Sequence, residues 1–306
     1  MKAFRVPAPA KTNLVLRILK KRKDGFHDLC SLFQRISFCD ELVIQEKRSS
    51  GLSLTSTNKA LPKGKNNLIH KAYNLMTDQL GTKPGLSVRL IKRIPTGAGL
   101  GGGSSDAASM MLAMNELFQL RLKPKPLSQL GLQIGSDVPF FLQDTSLAIV
   151  EGQGEKLKVV PAYKSNLFFL VASFKKSFST KEMYALLDEY RSQPVFLTKV
   201  RADVRITNYL LKSGHLSRAR QYLVNDFSPI AEIKLKSIEK LFMRWRKKKI
   251  PFFLSGSGSS VIAVFDSENL ARKEKRELQT LYRFRLNLAN PYKESIAAQI
   301  KEELGP

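Results

Sequence analysis

With 306 residues, 43% of them hydrophobic, the chain is too long for one compact domain of ordinary size and has enough apolar residues for two cores. Its 51 lysines and arginines against 26 aspartates and glutamates give a net charge of +25, which favours polyanionic partners. The two cysteines and three histidines have no zinc or redox spacing, and no apolar stretch of about 18 residues occurs, so we expect a cytoplasmic protein without a zinc site, export signal or membrane span.

The chain opens with a strand pattern and a helix pattern. Residues 4–19 predict a pair of strands or one strand with a bulge near residue 11. Residues 66–81 predict a helix, because apolar side chains recur on one face, Asn67 or its neighbour can cap it and Gly81 can end it.

A strand, a glycine-rich segment and a helix then follow one another directly. Alternating apolar residues at 85–94 predict the strand, and an apolar stripe at 105–120 predicts the helix. Between them, at 95–108, the sequence reads PTGAGLGGGSSDAA. Its glycines let the backbone pass close to a ligand, and the start of the following helix adds partial positive charge. The segment therefore predicts a phosphate-binding loop.

The spacing within this loop separates several phosphate-binding classes. The Walker A pattern is absent, as are the catalytic-loop and metal-binding motifs of protein kinases. Gly97, Gly99 and Gly102 satisfy the dinucleotide pattern, but no acidic residue ends a second strand about 20 residues on. A dinucleotide-binding enzyme remains a minor alternative.

The second half of the chain mixes strands and helices without a regular repeat. The stretch at 121–129 loses periodicity, and the loop at 151–165 is the natural place for a change of domain. Beyond it, patterns predict a buried strand at 166–174, helices at 181–190 and 237–248, and a strand, glycine turn and strand at 252–265. We expect an α+β fold with domains at 1–158 and 159–306.

Three segments in order resemble the motifs of the GHMP kinases, the family of galactokinase, homoserine kinase and mevalonate kinase. PAPAKTNLVL at 7–16 resembles the first motif, the glycine loop at 95–108 the second, and LSGSGSSVIAVF at 254–265 the third. The resemblance implies a two-domain α+β architecture: an N-terminal domain related to one in a ribosomal protein, a ferredoxin-like C-terminal domain, and an active site in the cleft between them.

Two further segments resemble one branch of this family, the diphosphocytidyl-methylerythritol kinases. They are DGFHDL at 24–29 and GSDVPFFL at 135–142. The resemblance implies transfer of the γ-phosphoryl of ATP, with Mg²⁺, to the 2-hydroxyl of a methylerythritol linked to cytidine diphosphate, in the isoprenoid pathway that does not use mevalonate. Two polyphosphate substrates would explain part of the positive charge.

The resemblance assigns a catalytic pair, Lys11 and Asp137. A carboxylate beside the acceptor hydroxyl can take its proton, and a neighbouring ammonium can offset charge on the phosphate. The residues alone leave plainer interpretations open. Asp137 also fits a cap before the segment at 138–142, and Lys11 also fits a surface charge.

The resemblance also assigns two sets of binding residues. The predicted ATP contacts are Pro95, Gly97, Gly99, Leu100, Gly101, Gly102, Gly103, Ser104, Ser105 and Asn67, with Ser105 also beside Mg²⁺. The predicted acceptor contacts are Asn13, Phe26, His27, Tyr184, Gly256 and Gly258. His27 would read the base edge, while Phe26 and Tyr184 would stack on the two faces of the base. Without the resemblance, Tyr184 would fit an ordinary core position.

Two other functions stay open on the sequence. Another GHMP kinase, for homoserine or mevalonate, would share the three motifs but has no use for a base-reading segment. An RNA-binding protein would account for the basic runs at 20–23 and 244–249, but it needs no preformed phosphate loop. We expect small-molecule substrates, and neither a nucleic acid nor a membrane as partner.

Overall fold

The computed structural model describes residues 3–62, 64–163, 166–175, 178–191 and 197–305. Six strands form the first sheet: β1 Phe4–Lys21, β2 His27–Glu46, β3 Leu52–Ser56, β4 Leu86–Ile91, β5 Leu147–Gly152 and β6 Lys156–Val159. Four strands form the second: β7 Phe168–Ser173, β8 Phe252–Ser255, β9 Ser260–Phe265 and β10 Arg285–Ala289. The helices are α1 Leu68–Leu80, α2 Gly102–Leu117, α3 Pro124–Leu132, α4 Val138–Leu142, α5 Thr180–Tyr190, α6 Leu197–Lys212, α7 Leu216–Ala219, α8 Ser228–Lys234, α9 Lys236–Lys247, α10 Glu268–Leu281 and α11 Ile296–Leu304.

The first sheet has the order β3-β4-β2-β5-β6, with β1 paired to β2. All pairs are antiparallel except β3 with β4. The register of β1 against β2 shifts between Pro9 and Ala10 and again between Asn13 and Val15. The prediction of one strand with a bulge near residue 11 is therefore confirmed. These shifts flank Lys11, and such irregularities re-aim side chains at functional sites.

The second sheet is antiparallel in the order β10-β7-β9-β8. Its core includes Trp245 and Phe242 of α9, both fully buried, as the apolar spacing of that helix predicts. Two sheets with packed helices confirm the α+β prediction. No helix among the residues described above is both long and apolar enough to cross a bilayer.

The predicted division at residue 158 falls one residue before β6 ends, and it remains a prediction. The last helix, α11, packs with elements of the first half of the chain. Ile296 and Ile300 of α11 are buried in the core of the first sheet, which also contains residues of α2. The chain thus returns to its first half after completing the second sheet.

The cap and stop residues predicted from the sequence for α1 are confirmed. The Asn67 side chain accepts a hydrogen bond from the backbone N–H of Ile69 at 2.9 Å, and Gly81 ends the helix with a φ of 69°. No helix was predicted at 121–129, and this was wrong, because α3 begins there at Pro124. Proline suits the first turn of a helix, and this helix is too short to display a full apolar stripe.

Candidate active site

Lys11 lies inside the protein rather than on its surface. Its residue exposure is 4%, and its Nζ is 3.0 Å from Asn13 Oδ1 and 3.4 Å from Asp137 Oδ2. The same Nζ lies 4.2 Å from the centre of the Phe33 ring. The surface interpretation of Lys11 is therefore wrong. A carboxylate, an amide oxygen and an aromatic face compensate its buried charge.

Asp137 occupies the cap position of α4, but its side chain makes no capping hydrogen bond. Its side chain is 28% exposed and faces the ammonium of Lys11 across the 3.4 Å contact. The cap interpretation is therefore wrong for the side chain. The carboxylate is left available to a ligand.

The glycine loop connects the three predicted motifs. Lys11 donates its backbone N–H to the Leu100 carbonyl at 2.9 Å, which joins the first motif to the loop. The Ser255 hydroxyl donates to the Gly99 carbonyl at 2.9 Å, and Ser260 N–H donates to the Ala98 carbonyl at 3.2 Å. The third motif thereby packs against the same loop.

Close backbone packing explains two of the glycines in this contact. A Cβ added to Gly99 would lie 1.9 Å from the Ser255 carbonyl oxygen, and one added to Gly258 would lie 2.2 Å from the Gly99 nitrogen. Neither distance is possible, so both positions require glycine. Gly258 was predicted to contact the acceptor substrate. In the structure its backbone packs against the loop, and its contact with the acceptor remains a prediction.

One cavity, of about 380 Å³, borders the loop. It is lined by the predicted nucleotide contacts Asn67, Pro95, Gly97, Gly99, Leu100, Gly101, Gly102, Gly103 and Ser104, together with apolar residues that include Leu61, Leu68 and Leu90. Ser105, the predicted metal ligand, is fully buried. Ser104 and not Ser105 borders this cavity.

A second, larger cleft of about 950 Å³ also borders the loop. The predicted residues that line it are Lys11, Asn13, Phe26, His27, Asp137, Tyr184 and Gly256. Gly97, Gly99 and Gly101 border both spaces. The two cavities therefore meet at the glycine loop, and the Lys11–Asp137 pair lies on the side of the larger cleft.

The predicted base-stacking residues share this cleft. Phe26 is 62% exposed, so its ring is accessible for stacking on a ligand. Tyr184 stacks on His27 with ring centres 4.9 Å apart and makes an edge contact with Phe227. Burial, with a smaller effect from the negative charge of Asp137, raises the pKa of Tyr184 to about 12. The phenol is therefore neutral and near the Lys11–Asp137 pair.

Sequence reasoning missed Asn225, which holds the third motif in place. Its side-chain amide donates to the carbonyls of Leu254 at 2.7 Å and Gly256 at 2.8 Å. Its oxygen accepts from the Phe227 N–H at 2.9 Å. A buried asparagine with this many backbone contacts is expected to be structural. The only sequence signal was the short segment NDFSP at 225–229.

A buried charge cluster beneath the loop was missed as well. Lys92 Nζ contacts Asp40 and lies 2.6 Å from Asp106 Oδ2, while Asp40 accepts the Ile94 N–H at 2.8 Å. A Cβ on Gly102 would come within 3.0 Å of the same ammonium. Burial raises the pKa of Asp106 to about 7 against the opposing effect of Lys92. The cluster ties the start of α2 to β2 and to the end of β4.

Lys92→Met is expected to lower the free energy of unfolding by about 3–5 kcal/mol, because it leaves two buried carboxyl groups without their cation. Urea denaturation measures the change. Lys234→Met is the matched control, since its ammonium is half-exposed and 3.4 Å from Glu182. Equal losses for the two variants would mean that the cluster adds nothing to stability.

Comparison with known proteins agrees with this arrangement. Residues 67–144 match the family described as GHMP kinases N terminal domain. The chain is 38% identical over 271 residues to the 4-diphosphocytidyl-2-C-methyl-D-erythritol kinase of Thermodesulfovibrio yellowstonii, across 86% of this chain and 90% of that relative. The chain belongs to the 4-diphosphocytidyl-2-C-methyl-D-erythritol kinase family.

Solved structures agree with membership of the 4-diphosphocytidyl-2-C-methyl-D-erythritol kinase family. A crystal structure of 4-(cytidine 5'-diphospho)-2C-methyl-D-erythritol kinase matches with a TM-score of 0.77 and 30% identity, over 94% of this chain and 100% of that one. The homoserine kinase of Cytophaga hutchinsonii matches with a TM-score of 0.74 at 20% identity, over 95% of each chain, which shows the shared fold. The family and fold predicted from the three motifs are confirmed.

Proposed function

We propose that the chain transfers the γ-phosphoryl group of ATP to the 2-hydroxyl of 4-diphosphocytidyl-2-C-methyl-D-erythritol, as a step in isoprenoid precursor synthesis. The observation that carries the proposal is the Lys11–Asp137 pair, with 3.4 Å between Nζ and Oδ2, beside a glycine loop that borders two cavities. A phosphoryl donor in one cavity and an acceptor in the other can meet at this pair.

The smaller cavity suits ATP. The loop presents backbone N–H groups and the start of α2 to the phosphates, and the apolar residues Leu61 and Leu68 border the space left for the base. No cluster of three histidines, cysteines or acids that could hold a metal occurs in the described part of the chain. Mg²⁺ at nucleotide sites is usually held through substrate phosphates, so we expect it to enter with ATP. Ser104, which borders the cavity, is better placed to contact that complex than the buried Ser105.

Phosphoryl transfer needs positioning and charge compensation more than covalent chemistry. Asp137 can accept the proton of the acceptor hydroxyl as the new phosphorus–oxygen bond forms. The ammonium of Lys11, kept in place by Asn13 and the Phe33 ring, offsets negative charge on the transferred group. Because Lys11 also donates its backbone N–H to Leu100, the catalytic pair and the phosphate loop keep a common position.

The larger cleft suits the cytidine-linked acceptor, with Phe26 and Tyr184 on the base. Stacking is worth roughly 1–3 kcal/mol per base, so Tyr184→Ala is expected to raise the KM for the acceptor by about 5- to 150-fold and leave the KM for ATP nearly unchanged. Steady-state kinetics with each substrate varied in turn measures both.

Tyr190→Ala is the control for this prediction, because Tyr190 is an exposed aromatic residue at the end of the same helix. A Tyr184→Ala protein with a much lower melting temperature and equal effects on both substrates would show that Tyr184 is only a core residue.

The proposed function is tested by measuring ADP release with three acceptors: the cytidine-linked methylerythritol, homoserine and mevalonate. We expect turnover with the first alone. Turnover with homoserine or mevalonate instead would assign the chain to another GHMP activity, and RNA affinity that falls steeply with salt would favour the RNA-binding alternative.

A further inference from the structure

Two side chains one turn apart on α5 hold His27, which begins β2. The Tyr184 ring stacks on the imidazole, with 4.9 Å between ring centres and 21° between planes. Asp188 Oδ1 lies 2.7 Å from His27 Nε2. The imidazole is almost fully buried between these contacts and borders the acceptor cleft. An element after the predicted domain boundary thus orients a residue of the first sheet.

The chemistry of this contact determines which nitrogen carries the proton. Although partial burial opposes it, hydrogen bonds from His27 and Lys21 lower the pKa of Asp188, so at neutral pH its carboxylate only accepts hydrogen bonds. The Nε2 atom of His27 must then carry a hydrogen. In the neutral ring the Nδ1 atom is left as an acceptor, and it makes no hydrogen bond to any residue that the structure describes.

We propose that Asp188 is a positioning residue that fixes the Nε2–H form of His27, so that Nδ1 offers a hydrogen-bond acceptor to the base of the phosphoryl acceptor. This proposal rests on the proposed function. Cytosine carries an amino group, a donor, where uracil carries a carbonyl oxygen, an acceptor. A fixed acceptor on the protein therefore favours cytosine. With uracil, the lone pair of Nδ1 would face the lone pairs of the carbonyl oxygen, and the two would repel.

Lys21 supports the same arrangement from the other side. Its Nζ lies 3.2 Å from Asp188 Oδ2, so the two carboxylate oxygens have separate partners. This keeps the oxygen that faces His27 in one place. The stacked Tyr184 ring limits tilting of the His27 imidazole, and the hydrogen bond to Asp188 limits its rotation within the ring plane. Hydrogen-bond partners that orient metal-binding histidines change affinity or activity by about 10- to 100-fold when they are removed, and we expect an effect of similar size here.

The test compares Asp188→Ala, Asp188→Asn and Glu182→Ala. Glu182 is the control because it is an exposed acid on the same helix with a single lysine partner, Lys234. For each protein, calorimetry measures the binding of cytidine and uridine diphosphates, kinetics measures kcat/KM for cytidine- and uridine-linked acceptors, and ¹⁵N spectra report the tautomer of His27.

Asp188→Ala is expected to reduce the preference for cytidine over uridine by about 10- to 100-fold, without a change in the KM for ATP. Its ¹⁵N spectrum should show mixed His27 tautomers, whereas the unaltered protein shows Nε2–H. Asp188→Asn keeps an oxygen that can accept the same hydrogen bond, so it should restore part of the preference. Glu182→Ala should match the unaltered protein.

A His27 protonated on Nδ1 in the unaltered protein, or an Asp188→Ala protein with its base preference intact, would overturn the proposal. A loss of thermal stability without a change in preference would reduce the contact to a structural link. If no acceptor with cytidine is phosphorylated at all, the proposed function fails, but the tautomer spectra and nucleotide binding still decide the role of Asp188.

Discussion

Asp137→Asn is expected to slow turnover by about 10²- to 10⁴-fold while ATP binding stays nearly unchanged. Asparagine keeps the size of the side chain but cannot accept the proton of the acceptor hydroxyl, and this range is typical for the loss of a general base. Since the carboxylate makes no capping hydrogen bond on α4, its replacement should leave that helix intact. The loss should therefore appear in the chemical step.

Single-turnover phosphoryl transfer and ATP calorimetry measure the two effects separately. Asp144→Asn is the control, because Asp144 is an exposed acid just beyond α4. Lys11→Met should also slow the chemical step, since its ammonium lies 3.4 Å from the same carboxylate. An Asp137→Asn protein with nearly normal turnover would refute the assignment of the general base.

Gly101→Val is expected to abolish measurable ATP binding. Gly101 has a φ of 67°, a conformation that a β-branched residue rarely adopts. An added Cβ would also lie 2.9 Å from Lys11 Cγ and 3.1 Å from the Phe141 ring. The substitution should therefore distort the loop and displace Lys11 at the same time.

Gly103→Ala provides the contrast within the same loop. Its added Cβ would meet only Leu68 Cδ1 at 3.4 Å, which is an ordinary contact. From the sequence alone, valine at either position should block ATP without much effect on folding. The structure separates them, because Gly101 faces buried side chains and its substitution should also lower the melting temperature.

Calorimetry with ATP and thermal denaturation of both variants measure these outcomes. Gly103→Ala should keep a normal melting temperature and lose far less affinity than Gly101→Val. ATP binding by Gly101→Val at the unaltered affinity would mean that the glycine serves only the turn and that the loop is not the phosphate site.

The sequence by itself was sufficient for features that depend on neighbouring residues. The caps of α1, the strand before the glycine loop and the helix after it follow from local spacing and backbone preference. The three ordered motifs identified the family, because each motif is a contiguous segment whose residue types its chemistry requires.

The tertiary structure alone decided how distant residues pair and which are buried. In the sequence Lys11 fits a surface charge, whereas in the structure it is buried beside Asp137 and Phe33. The His27–Asp188 contact joins residues 161 positions apart. Ser104 and Ser105 are neighbours in sequence, yet of the two only Ser104 borders the smaller cavity. The spacing of apolar residues shows only which face of its own helix or strand a residue lies on. Burial and hydrogen-bond partners depend on which elements pack together, and that information is not local to any stretch of the chain.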